Sequence, residues 1–193
     1  MKAVIITPAS EYPVTLVEAK AHLRVTHSND DTYINTLIAV ATKKAEEYCR
    51  RVFITTLLDL YFDYFPPDNS CILLRPNPIQ SLTGVYYTDD DGNEDQEIAS
   101  SNLITDFNNE PGRVSMEYSQ VWPTTRNIIN AVRIRFTAGW SDADAVPDQI
   151  KQAMLMIIGH LYENRQDVMT GTRVDKMPDS SKYLLDDYRL FEF

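Results

Sequence analysis

Two stretches of the chain repeat apolar residues every three or four positions, and the region between them alternates instead. Ile34, Leu37, Ile38, Ala41, Ala45, Tyr48, Cys49 and Val52 form one continuous apolar stripe, the pattern of a helix with one buried face. Lys43, Lys44, Glu46 and Glu47 fall largely on the other face. Upstream, Thr15 and Glu18 have the spacing of a capping box, which predicts a short helix running to about Val25. Ser28 and Asp31 repeat that start signal before the long stripe. Near the other end, Pro147 opens a second long helix, at a position where its missing N–H costs nothing. Its apolar face is Ile150, Ala153, Met154, Ile157, Ile158, Leu161 and Tyr162.

Between the stripes the period drops to two. Leu58, Leu60, Phe62 and Tyr64 alternate with Asp59, Tyr61 and Asp63, and Val132, Ile134 and Phe136 alternate with Arg133 and Arg135. Both patterns predict half-buried strands. A run at 71–74, the residues Leu82, Val85 and Tyr87, and weaker segments at 103–107 and 113–118 add further strands. Prolines 66, 67, 76, 78 and 111 punctuate them, and Asp91-Gly92 predicts a hairpin turn. A loop follows the second long helix, and residues 180–193 predict a tail helix. The fold class is therefore α+β. One domain spans 1–193, its long helices pack together, and 53–140 is a β-rich insertion within it.

Composition narrows the function. A chain of 193 residues and 22.1 kDa suffices for one domain with a real core. No apolar stretch reaches membrane-spanning length. The short run from Ala3 to Ile6, interrupted at Pro8, lacks the centre of a signal peptide, so synthesis in the cytoplasm is expected. Cys49 and Cys71 lie far apart without metal-site spacing, and Cys49 reads as a small buried hydrophobe. The net charge of −10 disfavours a protein that grips nucleic acid by its phosphates. The acid is concentrated: residues 61–129 hold 3 basic and 11 acidic side chains, a net of −8.

Three groups invite a chemical reading. The acidic run Asp89, Asp90, Asp91, Glu94 and Asp95 surrounds Gly92. As a calcium loop it fails twice, with Tyr87 at the first ligand position and Ile98 at the twelfth, so a solvated hairpin tip is the simpler reading. His160 and Glu163 are three apart on one helix, a spacing that suits a metal or an acid–base pair, but no second such motif accompanies them. A helix-surface hydrogen bond accounts for it. No phosphate loop or nucleophile elbow occurs. A small hydrolase using carboxylates of the β insertion is the enzymatic alternative, and it requires acids converging in a pocket. The third group is the tail. Tyr183, Leu184, Leu185, Tyr188, Phe191 and Phe193 crowd the terminus, either folding back on the protein's own core or lying in a partner's groove.

Several blocks, in order, carry a resemblance. Residues 14–25 (VTLVEAKAHLRV) come first, then Asp30-Asp31, Leu37-Ile38-Ala39 and Ala45-Glu46. Trp122-Pro123, Asn130-Ala131-Val132 and Phe136-Thr137-Ala138-Gly139-Trp140 follow. The last runs from Val146-Pro147 through Ile150-Lys151-Gln152-Ala153 to residues 160–165 (HLYENR). Together they resemble the head–tail connector (adaptor) proteins of double-stranded DNA phages, in their longer form with a β-rich insertion. The resemblance implies a structural virion protein in the neck, with no catalytic residues and no cofactor. It implies a homo-oligomeric ring that docks on the portal protein, extends the DNA channel without specific DNA binding, and seats the stopper or tail-completion protein. A stopper or tail-completion role in the same neck is the alternative. The resemblance tips the tail towards the portal as its partner. The uneven charge, −8 of the −10 in residues 61–129, leads us to expect part of the acid to face the channel of such a ring, with the loop at 89–95 there or on the outer rim.

Overall fold

The computed structural model describes residues 3–165 and 179–190. The chain forms two compact units, a β unit of Met1–Ala9 and Thr55–Trp140 and a helical unit of Ser10–Ile54 and Ser141–Phe193.

The helical unit follows its apolar spacing closely. Helix α1 (Leu16–Leu23) carries the predicted capping box. The Thr15 hydroxyl accepts from the Glu18 N–H at 3.2 Å, and the Glu18 carboxylate accepts from the Thr15 N–H at 2.7 Å. Two donors that the first turn leaves unpaired are thereby satisfied. Helix α2 spans Asp31–Cys49 and helix α3 spans Asp148–Glu163. Of the α2 stripe, Ile34, Leu37, Ile38, Ala41, Ala45, Cys49 and Val52 are buried; of the α3 stripe, Ile150, Ala153, Met154, Ile157 and Ile158 are buried. The two helices pack together, with α1 against both. The start predicted at Ser28 is displaced. Asp30 stands at the N-cap without a side-chain cap, because its carboxylate accepts from the Tyr162 hydroxyl and the Arg165 guanidinium instead.

The predicted tail helix is shorter than 180–193: α4 spans Asp179–Asp186. It packs on α3 and α2, and Ser181 and Leu185 are fully buried there.

The β unit holds two antiparallel sheets. The larger has the order β1 (Val4–Thr7), β2 (Thr56–Phe62), β8 (Val132–Ala138), β4 (Ile79–Tyr87) and β5 (Gln96–Glu97). The smaller has the order β3 (Ile72–Leu74), β7 (Gly112–Met116) and β6 (Leu103–Asp106). Alternation works on one face: Leu58 lies opposite Phe136, and Leu60 opposite Ile134, all buried. Val85 joins them from β4. Gly112 on β7 permits close approach of Ile79, since a Cβ there would sit 2.7 Å from Ile79 Cγ1.

Two features depart from the sequence reading. The N-terminal run, given no element in the sequence reading, forms an edge strand, β1, paired with β2. The β unit therefore takes in the first nine residues as well as the middle of the chain. Four residues are too few for a period of two to stand out, and Val4, Ile5 and Ile6 are apolar without alternation. Asp59, expected on a solvated face of β2, is fully buried instead. Arg135, opposite it on β8, donates to both its oxygens at 2.7 Å. This bidentate pair makes the burial tolerable and keeps Arg135 charged.

Candidate functional site

The acidic hairpin joins β4 to β5. Gly92 adopts φ 90°, the left-handed region that the turn requires. The Asp89 carboxylate closes the turn by accepting from the Asn93 backbone N–H and side-chain amide, both at 2.8 Å. These bonds, the side-chain amide first, hold its carboxyl below the usual range. Asp95 accepts from Arg133 at 2.6 Å, and the same guanidinium lies 4.7 Å over the Tyr86 ring. The Arg126 guanidinium lies against Gly92. Five adjacent acids therefore divide into two kinds. Asp89 and Asp95 shape and anchor the hairpin. Asp90, Asp91 and Glu94 are exposed and form no ion pair among the described residues.

The tail is fixed by a set of bonds around the end of α2. The Leu190 N–H donates to the Cys49 carbonyl at 3.1 Å, and Arg51 Nε donates to the Tyr188 carbonyl at 2.6 Å. The Tyr48 hydroxyl donates to Asp186, and the Tyr188 hydroxyl donates to Gln149. Leu185 is spent on the protein's own core, so in this conformation it offers a partner no surface. Leu184 and Tyr188 are half-buried, and Tyr183 is 79% exposed. Phe191 and Phe193 lie outside the described residues. The Cys49 thiol, beneath Leu185, is pushed up to about 12 by burial. Cys71 is exposed.

A third cluster was not read from the sequence. The Arg165 guanidinium lies over the adjoining rings of Tyr33 and Tyr162, 4.6 Å from each centroid, and donates to Asp30 at 3.1 Å. The Tyr162 hydroxyl, more than Arg165, holds the Asp30 carboxyl below its usual range. This clamp ties the last turn of α3 to the first turn of α2. Asp30 and Arg165 are 135 positions apart, and no local spacing announces such a pair. His160 does not meet Glu163 in it. The His160 ring lies 3.4 Å from the Asn164 amide, and Glu163 is exposed. Tyr64, read from the sequence as the last apolar position of an alternating strand, lies beyond the end of β2 and is exposed, and sequence reading passed over Val121, which is exposed as well.

The sequence matches the family described as phage gp6-like head–tail connector protein over residues 13–110 and 115–189. No curated protein sequence matches the chain. Several solved structures share its fold at low identity. A chain in the neck of an empty gene transfer agent particle, computed with C6 symmetry, superposes with a TM-score of 0.80 at 20% identity. A chain in the virion of the native gene transfer agent particle gives 0.79 at 20% identity. A chain in the neck of the native particle, computed with C12 symmetry, gives 0.74 at 19% identity. Each comparison covers 100% of this chain and 97% of the other.

Proposed function

We propose, since the chain belongs to the phage gp6-like head–tail connector family, that it is the adaptor subunit of a ring in the virion neck. The family match across nearly the whole chain is the observation that carries this reading. The similar folds come from particle necks, one computed with C6 and one with C12 symmetry, which supports a cyclic arrangement of copies. The role is structural and not catalytic. The ring docks on the portal protein and seats a stopper or tail-completion protein.

Two surfaces serve that role. The β unit supplies the acid: residues 55–140 hold 12 acidic and 5 basic side chains. A ring multiplies this field by its copy number, and carboxylates along a channel repel phosphates, so DNA slides without being gripped. The exposed Asp91 and Glu94 of the hairpin are the acids we assign to this task. The tail helix presents Tyr183 and Leu184 to the portal, while Leu185 and Tyr188 fix the helix from behind.

The test is to mix the purified protein with portal-bearing heads and examine them by electron microscopy. A ring of copies at the portal vertex is expected. Binding only to heads that already carry another ring would assign the stopper role instead. Tyr183→Ala should weaken head binding while leaving the urea melt of the free protein unchanged.

A further inference from the structure

The β unit carries an open groove of about 420 Å³ that its sheets do not need. One wall is the proline bend at residues 64–67, and the other is the segment 121–125, with Asp90 of the acidic hairpin at the rim. The walls are rigid. Trp122 stacks on Phe65 at 4.8 Å, its indole N–H donates to the Ser70 carbonyl at 3.1 Å, and its backbone N–H donates to Asn69 Oδ1 at 3.1 Å. The Asn69 amide in turn donates to the Gln120 carbonyl at 3.0 Å. The stack and these hydrogen bonds hold the two walls together. On this frame Tyr64 is 67% exposed and Val121 71% exposed. Evolving chains rarely present large apolar side chains on a pre-organised concave surface unless something covers them.

Charge says what covers them. Asp90 is the one charged side chain in the lining, and Asp63 and Asp68 are exposed beside the bend. The surrounding segment, residues 61–129, has a net charge of −8. Nucleic acid is repelled by such a rim. An apolar segment carrying lysine or arginine is attracted to it. A second copy of this chain fits poorly, because its own net charge is −10 and the described bases outside the β unit sit mainly on or beside helices. Walls of tyrosine, tryptophan and proline suit an extended backbone, whose side chains enter alternately.

We infer that this groove seats an extended, apolar and basic segment of another protein of the particle, gripped between Tyr64 and Val121 and steered by Asp90. The inference rests on the connector reading and names the chemistry of its partner. It also takes Asp90 for the partner and leaves Asp91 and Glu94 to the channel.

The full-length protein is probed with an array of overlapping peptides tiling the other head and tail proteins of the particle and this chain itself. Capture of peptides rich in lysine or arginine with proline or aliphatic residues is expected. Val121→Ser and Asp90→Lys should each weaken that capture about tenfold, the scale of a central interface contact. Both are surface changes that leave Trp122 and Phe65 in place, and both variants should still form rings on portal-bearing heads. Capture equal in all variants, capture of acidic peptides, or capture of peptides from this chain overturns the proposal. Loss of the rings themselves in either variant also overturns it, making the groove an interface between copies. Failure of the wild-type protein to form rings, with basic-peptide capture intact, would strike the connector reading and leave the groove standing.

Discussion

The helical unit and the β unit solve the same problem with different chemistry. Between α2 and α3 the core is hydrocarbon, and Ala41, Ala45 and Ala153, all fully buried, leave room for the helices to approach. In the β unit only one face of the larger sheet is hydrocarbon. The other face contains a buried carboxylate, Asp59, satisfied by a guanidinium from the next strand. The first solution is additive and local, because each residue of a stripe is buried on its own merits. The second depends on a partner 76 positions away. Losing one member therefore does different damage in the two units.

The largest effects should come from the hydrocarbon. Ile157→Ala in α3 and Phe136→Ala in β8 should each destabilise the protein by about 2–5 kcal/mol in urea melts. A loss below about 0.5 kcal/mol in both would place these side chains on a surface.

A smaller loss separates the two chemistries. Asp59→Ala leaves Arg135 without its partner. Breaking a buried pair costs about 3–5 kcal/mol, and the Arg135 side chain keeps 27% exposure, so about 2–3 kcal/mol is expected. The double variant Asp59→Leu with Arg135→Met should recover to within about 1 kcal/mol of the wild type. If the single and double variants melt alike, the pair is not what holds this face.

The smallest effect belongs to the Asp30 clamp, where the helical unit departs from pure hydrocarbon. The Tyr162 hydroxyl and Arg165 depress the folded-state pKa of Asp30. A carboxyl depressed in the folded state contributes stability above its unfolded pKa, about 3.9, and loses it as pH falls through the folded value. Melts repeated between pH 7 and acid should thus show a decline that Asp30→Asn flattens. An unchanged acid slope in that variant would remove the clamp as a stabilising contact.

The same contrast governs how much could be read in advance. Helices α2 and α3 were legible because their stripes run for four turns or more, and each buried residue repeats the message. The alternation of β2 and β8 was legible for the same reason on their hydrocarbon face. What escaped depended on distant partners. Asp59 looks like any surface aspartate until Arg135 is placed opposite it. Val4, Ile5 and Ile6 become a strand only because β2 offers an edge. The tail posed two outcomes of equal appearance, since the side chains that bury Leu185 in its own core are those that would fit a groove elsewhere. Tyr64 was misread as a further apolar position of β2, which ends at Phe62, and Val121 escaped because exposure of an apolar side chain leaves no mark in the sequence.

The Asp59–Arg135 pair also carries information. Side chains on a strand alternate, so sliding β2 by one residue along β8 would move Asp59 to the hydrocarbon face and set it against Ile134 or Phe136. An unpaired carboxylate there is far costlier than a misplaced leucine, whereas Leu58 and Leu60 alone would tolerate many alignments almost equally. The buried charge thus adds little to the depth of the native state and much to its separation from near misses. It works as a check digit in the sheet, rejecting strand pairings that are wrong by one.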